Sequence, residues 1–143
     1  MERATIAGRF VLLLAILVVS SLAGCENSTI RNKDIIGTWV NESGAEIRFE
    51  ANGRFSYRNL PTAIFNSDGV KVRVLISGDG EYWNLQLEDT GASIYLQFGW
   101  IDEIKKRPPE ILYVTGNNLY FTYVPEIKGA YAGQFYFEKK PEK

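Results

Sequence analysis

Few side chains in this chain could carry out chemistry, and one of them is the only residue of its type. Among the 143 residues there is no histidine and a single cysteine, Cys25. The absence of histidine removes the commonest general base and the commonest transition-metal ligand. Carboxylates are plentiful, but Asp102-Glu103 is the only acidic pair beside an aromatic residue. We therefore expect no catalytic residues, no enzymatic activity, no metal site and no cofactor, which leaves the Cys25 thiol to be explained.

Cys25 ends a segment with the three parts of a secretory signal peptide. Arg3 and Arg9 supply a positively charged start, residues 10–19 are almost wholly apolar, and Leu22-Ala23-Gly24 brings mostly small residues up to the cysteine. This order of parts predicts export from the cytoplasm.

The four residues Leu22-Ala23-Gly24-Cys25 resemble the lipobox of bacterial lipoproteins. The resemblance implies cleavage between Gly24 and Cys25, removal of residues 1–24, and acyl chains such as palmitate on the cysteine. Two alternatives stay open. One is an uncleaved signal anchor, although the 16 uncharged residues after Arg9 are fewer than the roughly 20 that span a bilayer. The other is an ordinary signal peptide cut after Ala23 or Gly24.

The lipobox resemblance also implies a location in the cell. One acyl chain binds a membrane weakly, whereas two or three hold a protein permanently. Glu26 stands where lipoproteins retained at the inner membrane of Gram-negative bacteria often carry aspartate. For a Gram-negative source, the expected location is therefore the cell envelope, on the periplasmic face of the outer membrane. Residues 25–33 then form the lipidated cysteine with a polar tether, and residues 34–143 form one domain.

Composition restricts the partners of that domain. The formal net charge of the chain is −1, and no basic stripe interleaved with aromatic residues appears, so we expect no nucleic-acid binding. The remaining expected partners are the membrane, through the acylated Cys25, and a small hydrophobic ligand or an envelope protein. Nothing in the sequence indicates an oligomeric state.

From residue 34 onward, short runs of alternating apolar and polar residues are separated by turn residues, which is typical of an antiparallel meander. The runs are 36–40, 45–49, 55–58, 70–76, 83–87, 94–98, 111–115, 119–124 and 134–139. The clearest predicted turns are Asn52-Gly53, Gly78-Asp79-Gly80, Asp89-Thr90-Gly91 and Gly116-Asn117-Asn118. Eight or nine such strands predict an all-β fold closing into a small barrel, since closure removes exposed edges. A Greek-key sandwich is the alternative.

Two segments interrupt the meander. In residues 59–67, Asn59 and Pro61 are residues that favour the start of a helical turn. In residues 100–107, three apolar residues follow helical spacing, and a basic cluster comes after them. Two interpretations stay open for this second segment. It either plugs one barrel end, or it contacts the membrane through its apolar face, formed by Trp100, Ile101 and Ile104.

Gly37-Thr38-Trp39, on the first predicted strand, resembles the opening of lipocalins and related calycin barrels. The resemblance implies a lipocalin-like barrel in which Gly37 and Trp39 pack at the closed end. It also implies a late basic side chain lying over the indole in a cation–π contact. Lys139 takes that place here, although arginine is usual in the family.

Two functions from different classes remain open. Trp39, Phe49, Trp83 and Phe98 are predicted core residues. The other strand face is rich in tyrosine and amide side chains, and its candidate binding residues are Tyr82, Asn84, Gln86, Tyr95, Gln97, Tyr120 and Tyr136. If this face lines the lumen, it forms a pocket for a small hydrophobic or amphipathic ligand. If it faces outward, it suits an adaptor or inhibitor that binds an envelope protein or glycan. Strand propensity alone also favours exposed tyrosine.

Overall fold

The computed structural model of this chain describes residues 29–65, 74–122, 130–131 and 134–141. The residues that resemble a lipobox, Leu22-Ala23-Gly24-Cys25, and residues 70–73 of the predicted fourth strand lie outside these ranges. Among the helices of the described ranges, none has both the length and the apolar character needed to cross a membrane.

Within the described residues, the chain forms one short helix, one 3₁₀ turn and nine β-strands. Helix α1 spans Asn32–Ile35, and the 3₁₀ turn spans Thr62–Phe65. The strands are β1 Gly37–Val40, β2 Glu46–Phe49, β3 Phe55–Pro61, β4 Leu75–Glu88, β5 Gly91–Phe98, β6 Pro109–Thr115, β7 Asn118–Phe121, β8 Ala130–Tyr131 and β9 Gln134–Lys139.

The strands close into an antiparallel barrel. β1 to β7 pair in chain order, β9 pairs with β7, and β9 pairs again with β1, so eight strands form a ring. β8 adds a two-residue pairing at the start of β9. The seam begins with Trp39 opposite Lys139, and further along it Asn41 Nδ2 donates a hydrogen bond to the Tyr136 carbonyl at 2.6 Å. The predicted all-β meander and its closure into a barrel are confirmed.

Large side chains fill the interior of this ring. Successive residues of a strand point to opposite faces of a sheet, so every second residue points inward. Among the described residues, the bulkiest fully buried side chains are all phenylalanine: Phe49, Phe55, Phe98, Phe121, Phe135 and Phe137. Trp39 and Trp83 are buried as well, so the four predicted core aromatics all join the core. An eight-stranded barrel is just wide enough for its own side chains to fill, and these rings occupy that space.

The turn predicted at Gly78-Asp79-Gly80 is wrong. These residues lie inside β4, a single strand of 14 residues that pairs with β3 and with β5. A Cβ on Gly80 would lie 2.0 Å from Cε1 and Cζ of Phe55, and a Cβ on Gly78 would lie 3.0 Å from the Tyr57 hydroxyl. Glycine within a strand often marks the close approach of another group. Here the motif admits two aromatic rings of β3 and does not reverse the chain.

The helical turn predicted in residues 59–67 begins later than expected. Asn59 has φ 52° and lies at a bulge inside β3, while Pro61 is the last residue of that strand. The backbone N–H of Asn59 donates to Ser77 Oγ on β4 at 3.0 Å, which holds the bulge in the sheet. The helical turn that does form is the 3₁₀ turn starting at Thr62.

Residues 100–107 form a tight loop between β5 and β6, and the helical conformation predicted from their spacing is wrong. The loop is closed by an isolated backbone bridge, and Lys105 adopts φ 54°, which a right-handed helix does not contain. A segment this short cannot offset the cost of helix nucleation. Its apolar residues therefore do not share a face: Ile101 and Ile104 are buried in the core, whereas Trp100 is 57% exposed.

The strand directions give the barrel two different ends. At the end that we call the entry end, the chain arrives through residues 29–36, and the connections 50–54, 88–91 and 115–118 lie there too. At the opposite end, the far end, lie residues 41–45, the 3₁₀ turn and the loop 99–108. Residues 29–33 and Trp100 are thus at opposite ends of the barrel.

Candidate functional site

At the entry end, Trp39, Lys139 and helix α1 contact one another. Trp39 Nε1 donates to the Ile35 carbonyl at 2.8 Å. Lys139 Nζ lies 5.7 Å from the centroid of the Trp39 ring and donates to the Asp34 carbonyl at 2.8 Å. Gly37 enters β1 with φ 124°, a conformation that favours glycine. The residues named by the lipocalin resemblance thus meet at this end, where they hold α1 against the barrel.

The tyrosine and amide residues predicted as a binding face point outward. On β5 they alternate with buried residues, and on β4 Tyr82 and Asn84 stand on either side of the buried Trp83. Tyr82 is 48% exposed. Together with one tyrosine that the prediction omitted, Tyr113, five tyrosines lie on the outer faces of β4, β5, β6, β7 and β9. We call this set the tyrosine wall: Tyr82, Tyr95, Tyr113, Tyr120 and Tyr136. Of the two orientations left open by the sequence, the structure has the outward one.

Neighbouring rings hold the wall in order. Ring centroids are 5.9 Å apart for Tyr82 and Tyr95, 5.6 Å for Tyr113 and Tyr120, and 5.3 Å for Tyr120 and Tyr136. Such cross-strand aromatic pairs stabilise a sheet. Desolvation, followed by electrostatic repulsion from Tyr82 and a hydrogen bond with its side chain, raises the pKa of Tyr95.

Glutamine side chains complete the wall. The Tyr95 hydroxyl donates to Gln97 Oε1 at 3.1 Å, and the Tyr136 hydroxyl donates to Gln134 Oε1. Asn84 and Gln86 are exposed beside Tyr82 on β4. The centre of this surface is therefore aromatic and uncharged, with amide groups at hand for hydrogen bonds.

The opposite side of the barrel has a different character. On the outer faces of β2 and β3, Arg48 is exposed and Arg58 Nη2 lies 3.1 Å from Glu46 Oε2. Charged side chains of this kind are typical of a solvated strand face. Because the two halves of the outer surface differ so clearly, solvation alone does not account for the tyrosine wall.

A cleft of about 350 Å³ opens beside the wall, near where β7 ends while β6 continues toward the far end. Its lining is mostly apolar or aromatic and includes a single carboxyl group; the lining residues are Ile64, Tyr95, Pro109, Glu110, Ile111, Tyr113 and Thr122. Glu110 pairs with the fully buried Leu96 across β5 and β6, so it holds an inward-facing register position. A carboxyl at such a position departs from the pattern of the rest of the core.

The environment of Glu110 makes its ionisation costly. Desolvation raises the pKa of Glu110 to about 7, and a hydrogen bond with the Ile111 backbone opposes that rise. The three ion pairs among the described residues use other carboxylates. Nowhere in the described ranges do three potential ligand side chains gather as a metal site requires. Glu110 is thus a half-buried carboxyl that no side-chain cation of the described residues neutralises.

The stability of the barrel should fall as pH rises because of Glu110. A carboxyl with a raised folded-state pKa favours folding below its unfolded pKa of 4.5, and this contribution is lost as pH rises through about 7. We expect a loss of about 1–2 kcal/mol after allowance for solvent screening. Urea unfolding at pH 5 and pH 8 should show this loss in the wild type but not in Glu110→Gln. The exposed Glu42→Gln should behave as the wild type, and an equal fall in all three proteins would contradict the assignment.

Two residues of this region were missed in the sequence, although a signal for both was present. Leu112 is the buried residue from which both can be placed. Glu110 lies two positions before it and Tyr113 one position after it, so strict alternation places Glu110 inside and Tyr113 outside.

Trp100, proposed as a membrane contact, is exposed at the far end, where its Nε1 donates to Asp102 Oδ1 at 2.9 Å. The other two proposed contacts, Ile101 and Ile104, pack into the core as a plug would.

No family profile, curated protein or solved structure matches this chain. The functional conclusion therefore depends on the chemistry of the tyrosine wall and its cleft.

Proposed function

We propose that this chain is a lipid-anchored envelope protein, attached through Cys25, that binds a protein partner on the tyrosine wall and performs no catalysis. The observation that carries the proposal is the division of the outer surface. One half is charged, and the other presents five tyrosines among amide side chains. Tyrosine is enriched in protein interfaces and among the residues that dominate their affinity.

A carrier that holds a ligand in its lumen is less well supported. A lumenal site needs an unfilled interior, and six phenylalanine side chains with less than 2% exposure occupy the interior of this barrel. The candidate binding residues also lie on the outer face. The geometry therefore favours the adaptor or inhibitor class over the carrier class.

Charge complementarity indicates the kind of partner. The entry-end margin of the wall carries Glu88, Asp89 and Glu138, all exposed, and the adjacent cleft contains Glu110. A partner that covers the wall would meet these carboxylates at its periphery, where opposite charges steer association. We therefore expect a protein with an apolar patch that is basic on the side that meets the entry-end margin.

Site-specific crosslinking in intact cells tests this proposal. A photoreactive phenylalanine analogue at Tyr82 or Tyr95 should trap one defined protein, identified by mass spectrometry. The same analogue at Arg48, which is exposed on the opposite half, should not trap it. Equal capture of the same protein from Arg48, or capture of none from the wall, would refute the function proposed here.

The anchor makes a separate prediction. Cys25→Ala removes the thiol that the lipobox chemistry requires, so cells should accumulate an uncleaved or soluble form that carries no acyl label. Metabolic labelling with a palmitate analogue, followed by fractionation, measures both properties. Ser28→Ala, three residues away, should be labelled and membrane-bound like the wild type. Normal labelling of Cys25→Ala would show that the cysteine is not the lipid site.

A further inference from the structure

The cleft beside the tyrosine wall combines two features that usually occur apart. Most of its lining is apolar or aromatic, including Ile64, Pro109 and Ile111, yet it contains the Glu110 carboxyl. An apolar surface with one charged group suits a guest that has an apolar stem and a charged head, as the long basic side chains do. Its volume of about 350 Å³ is near the lower limit for ligand pockets, roughly 300 Å³, which suits a single side chain.

The charge of that head follows from the groups around it. Glu110 pairs with no side-chain cation of the described residues, and a half-buried carboxylate gains from an opposite charge. Tyr95 and Tyr113 line the same cleft, and the faces of aromatic rings attract cations. Carboxylate and rings therefore favour the same kind of guest, an organic cation.

The accessibility of Glu110 distinguishes between the two common basic side chains. A two-pronged guanidinium contact needs both carboxyl oxygens, and Glu110 is half-buried at an inward-facing register position. An ammonium acts as a compact point charge and does not need both oxygens. The site therefore suits a lysine side chain better than an arginine side chain.

We propose that the Glu110 cleft receives the primary alkylammonium group of a lysine side chain supplied by the partner protein. The ammonium lies against the Glu110 carboxylate, and its methylene stem lies along Pro109 and Ile111. This inference rests on the proposed function, since the lysine belongs to the protein that covers the tyrosine wall.

The proposal has a consequence for pH dependence. The ammonium binds the ionised carboxyl, and the pKa of Glu110 in the empty cleft is about 7. An alkylammonium stays charged throughout the neutral range. The apparent affinity should therefore be about tenfold higher at pH 8 than at pH 6, because the ionised fraction of Glu110 rises by about that factor.

A matched pair of small probes tests the cleft directly. n-Butylammonium chloride reproduces the lysine side chain, and n-butanol has the same stem without the charge. In the detergent-solubilised full chain, n-butylammonium should shift the backbone amide resonances of Glu110, Ile111 and Thr122 saturably. The dissociation constant obtained from these shifts should be about tenfold lower at pH 8 than at pH 6. Glu110→Gln should weaken this binding at least tenfold, while Glu42→Gln should leave it unchanged. Equal binding of n-butanol, or undiminished binding to Glu110→Gln, would overturn the inference.

A second experiment identifies the source of the amine. A zero-length carbodiimide reagent in intact cells joins a carboxyl to a neighbouring amine as an amide. It should link Glu110 to a lysine of the partner, mapped by mass spectrometry and absent in Glu110→Gln. Binding of n-butylammonium without any protein adduct at Glu110 would mean that the cleft takes a free amine, which contradicts the lysine source.

The two proposals fail in different ways. Capture of a partner from Tyr82 and Tyr95 without saturable n-butylammonium binding would refute the lysine site and leave the proposed function standing. Absence of any capture from the wall would refute the proposed function, whatever the small probes do.

Discussion

Replacing Phe98 by alanine is expected to lower the free energy of unfolding by about 3–5 kcal/mol. Phe98 is fully buried, and its ring contacts three others edge to face: Phe55 and Tyr57 at 5.1 Å and Phe65 at 4.9 Å between centroids. Each such pair adds about 0.5–1.5 kcal/mol beyond the area it buries. Because small domains are stable by only about 5–15 kcal/mol, this variant should unfold at a much lower urea concentration.

The matched control is another aromatic side chain on the outer face. Tyr82→Ala truncates a ring that is 48% exposed, so its cost should stay below about 1 kcal/mol. Unfolding in urea, followed by tryptophan fluorescence at 25 °C, measures both variants. A loss of less than 1 kcal/mol in Phe98→Ala would mean that the interior cluster is loosely packed and that the filled-barrel description is mistaken.

The cavity left in Phe98→Ala offers a further measurement. Apolar holes of this kind stay dry and bind small aromatic molecules such as benzene. Benzene should therefore raise the melting temperature of Phe98→Ala by mass action, and it should leave the wild type unchanged. Equal stabilisation of the wild type would reveal an interior space that the side chains do not fill.

The second large effect is expected at Gly80, where any side chain collides with the core. A Cβ at this position would lie 2.0 Å from two atoms of the Phe55 ring and 2.5 Å from a third. The ring cannot easily move aside, because it is 2% exposed and packs against Phe98. Gly80→Ala should therefore cost about 3 kcal/mol, at the upper end of ordinary overpacking.

Two further variants separate this clash from a general cost of losing glycine. Gly91→Ala places a Cβ where no atom lies within 4 Å, so its stability should stay within about 0.5 kcal/mol of the wild type. Phe55→Leu opens space beside Gly80, so the cost of Gly80→Ala should shrink in that background, which a double-mutant cycle measures. An additive cycle would contradict steric conflict between the two positions.

Alternation of apolar and polar residues was enough to predict the fold class. Period-two patterns depend on which face of a strand meets the core, and that constraint is local. It placed β1, β2 and β9 close to their observed bounds, and the number of short strands indicated closure. The same rule, applied to Leu112, would have found Glu110 and Tyr113.

What the sequence did not reveal depends on contacts between distant residues. Gly78 and Gly80 are residues typical of a turn. Only their pairing with Tyr57 and Phe55 on the neighbouring strand β3 shows that they are part of a strand. Residues 100–107 have helical spacing, yet the backbone bridge that closes their loop is a tertiary outcome. The choice between a lumenal and an outward tyrosine face was open for the same reason, since alternation fixes two faces without saying which one is inside.

Closure of the ring by β9 determines when this fold can be completed. β1 begins at Gly37, and its partner across the seam ends at Lys139, so the outer edge of the first strand has no partner until residues 134–139 join the sheet. Until then β1 and β7 present open edges, which are templates for aggregation, and closing so long a loop is slow. Closure of the barrel is therefore a late step in the folding of this chain. A chain cut before Gln134 lacks the closing strand and leaves both of these edges open.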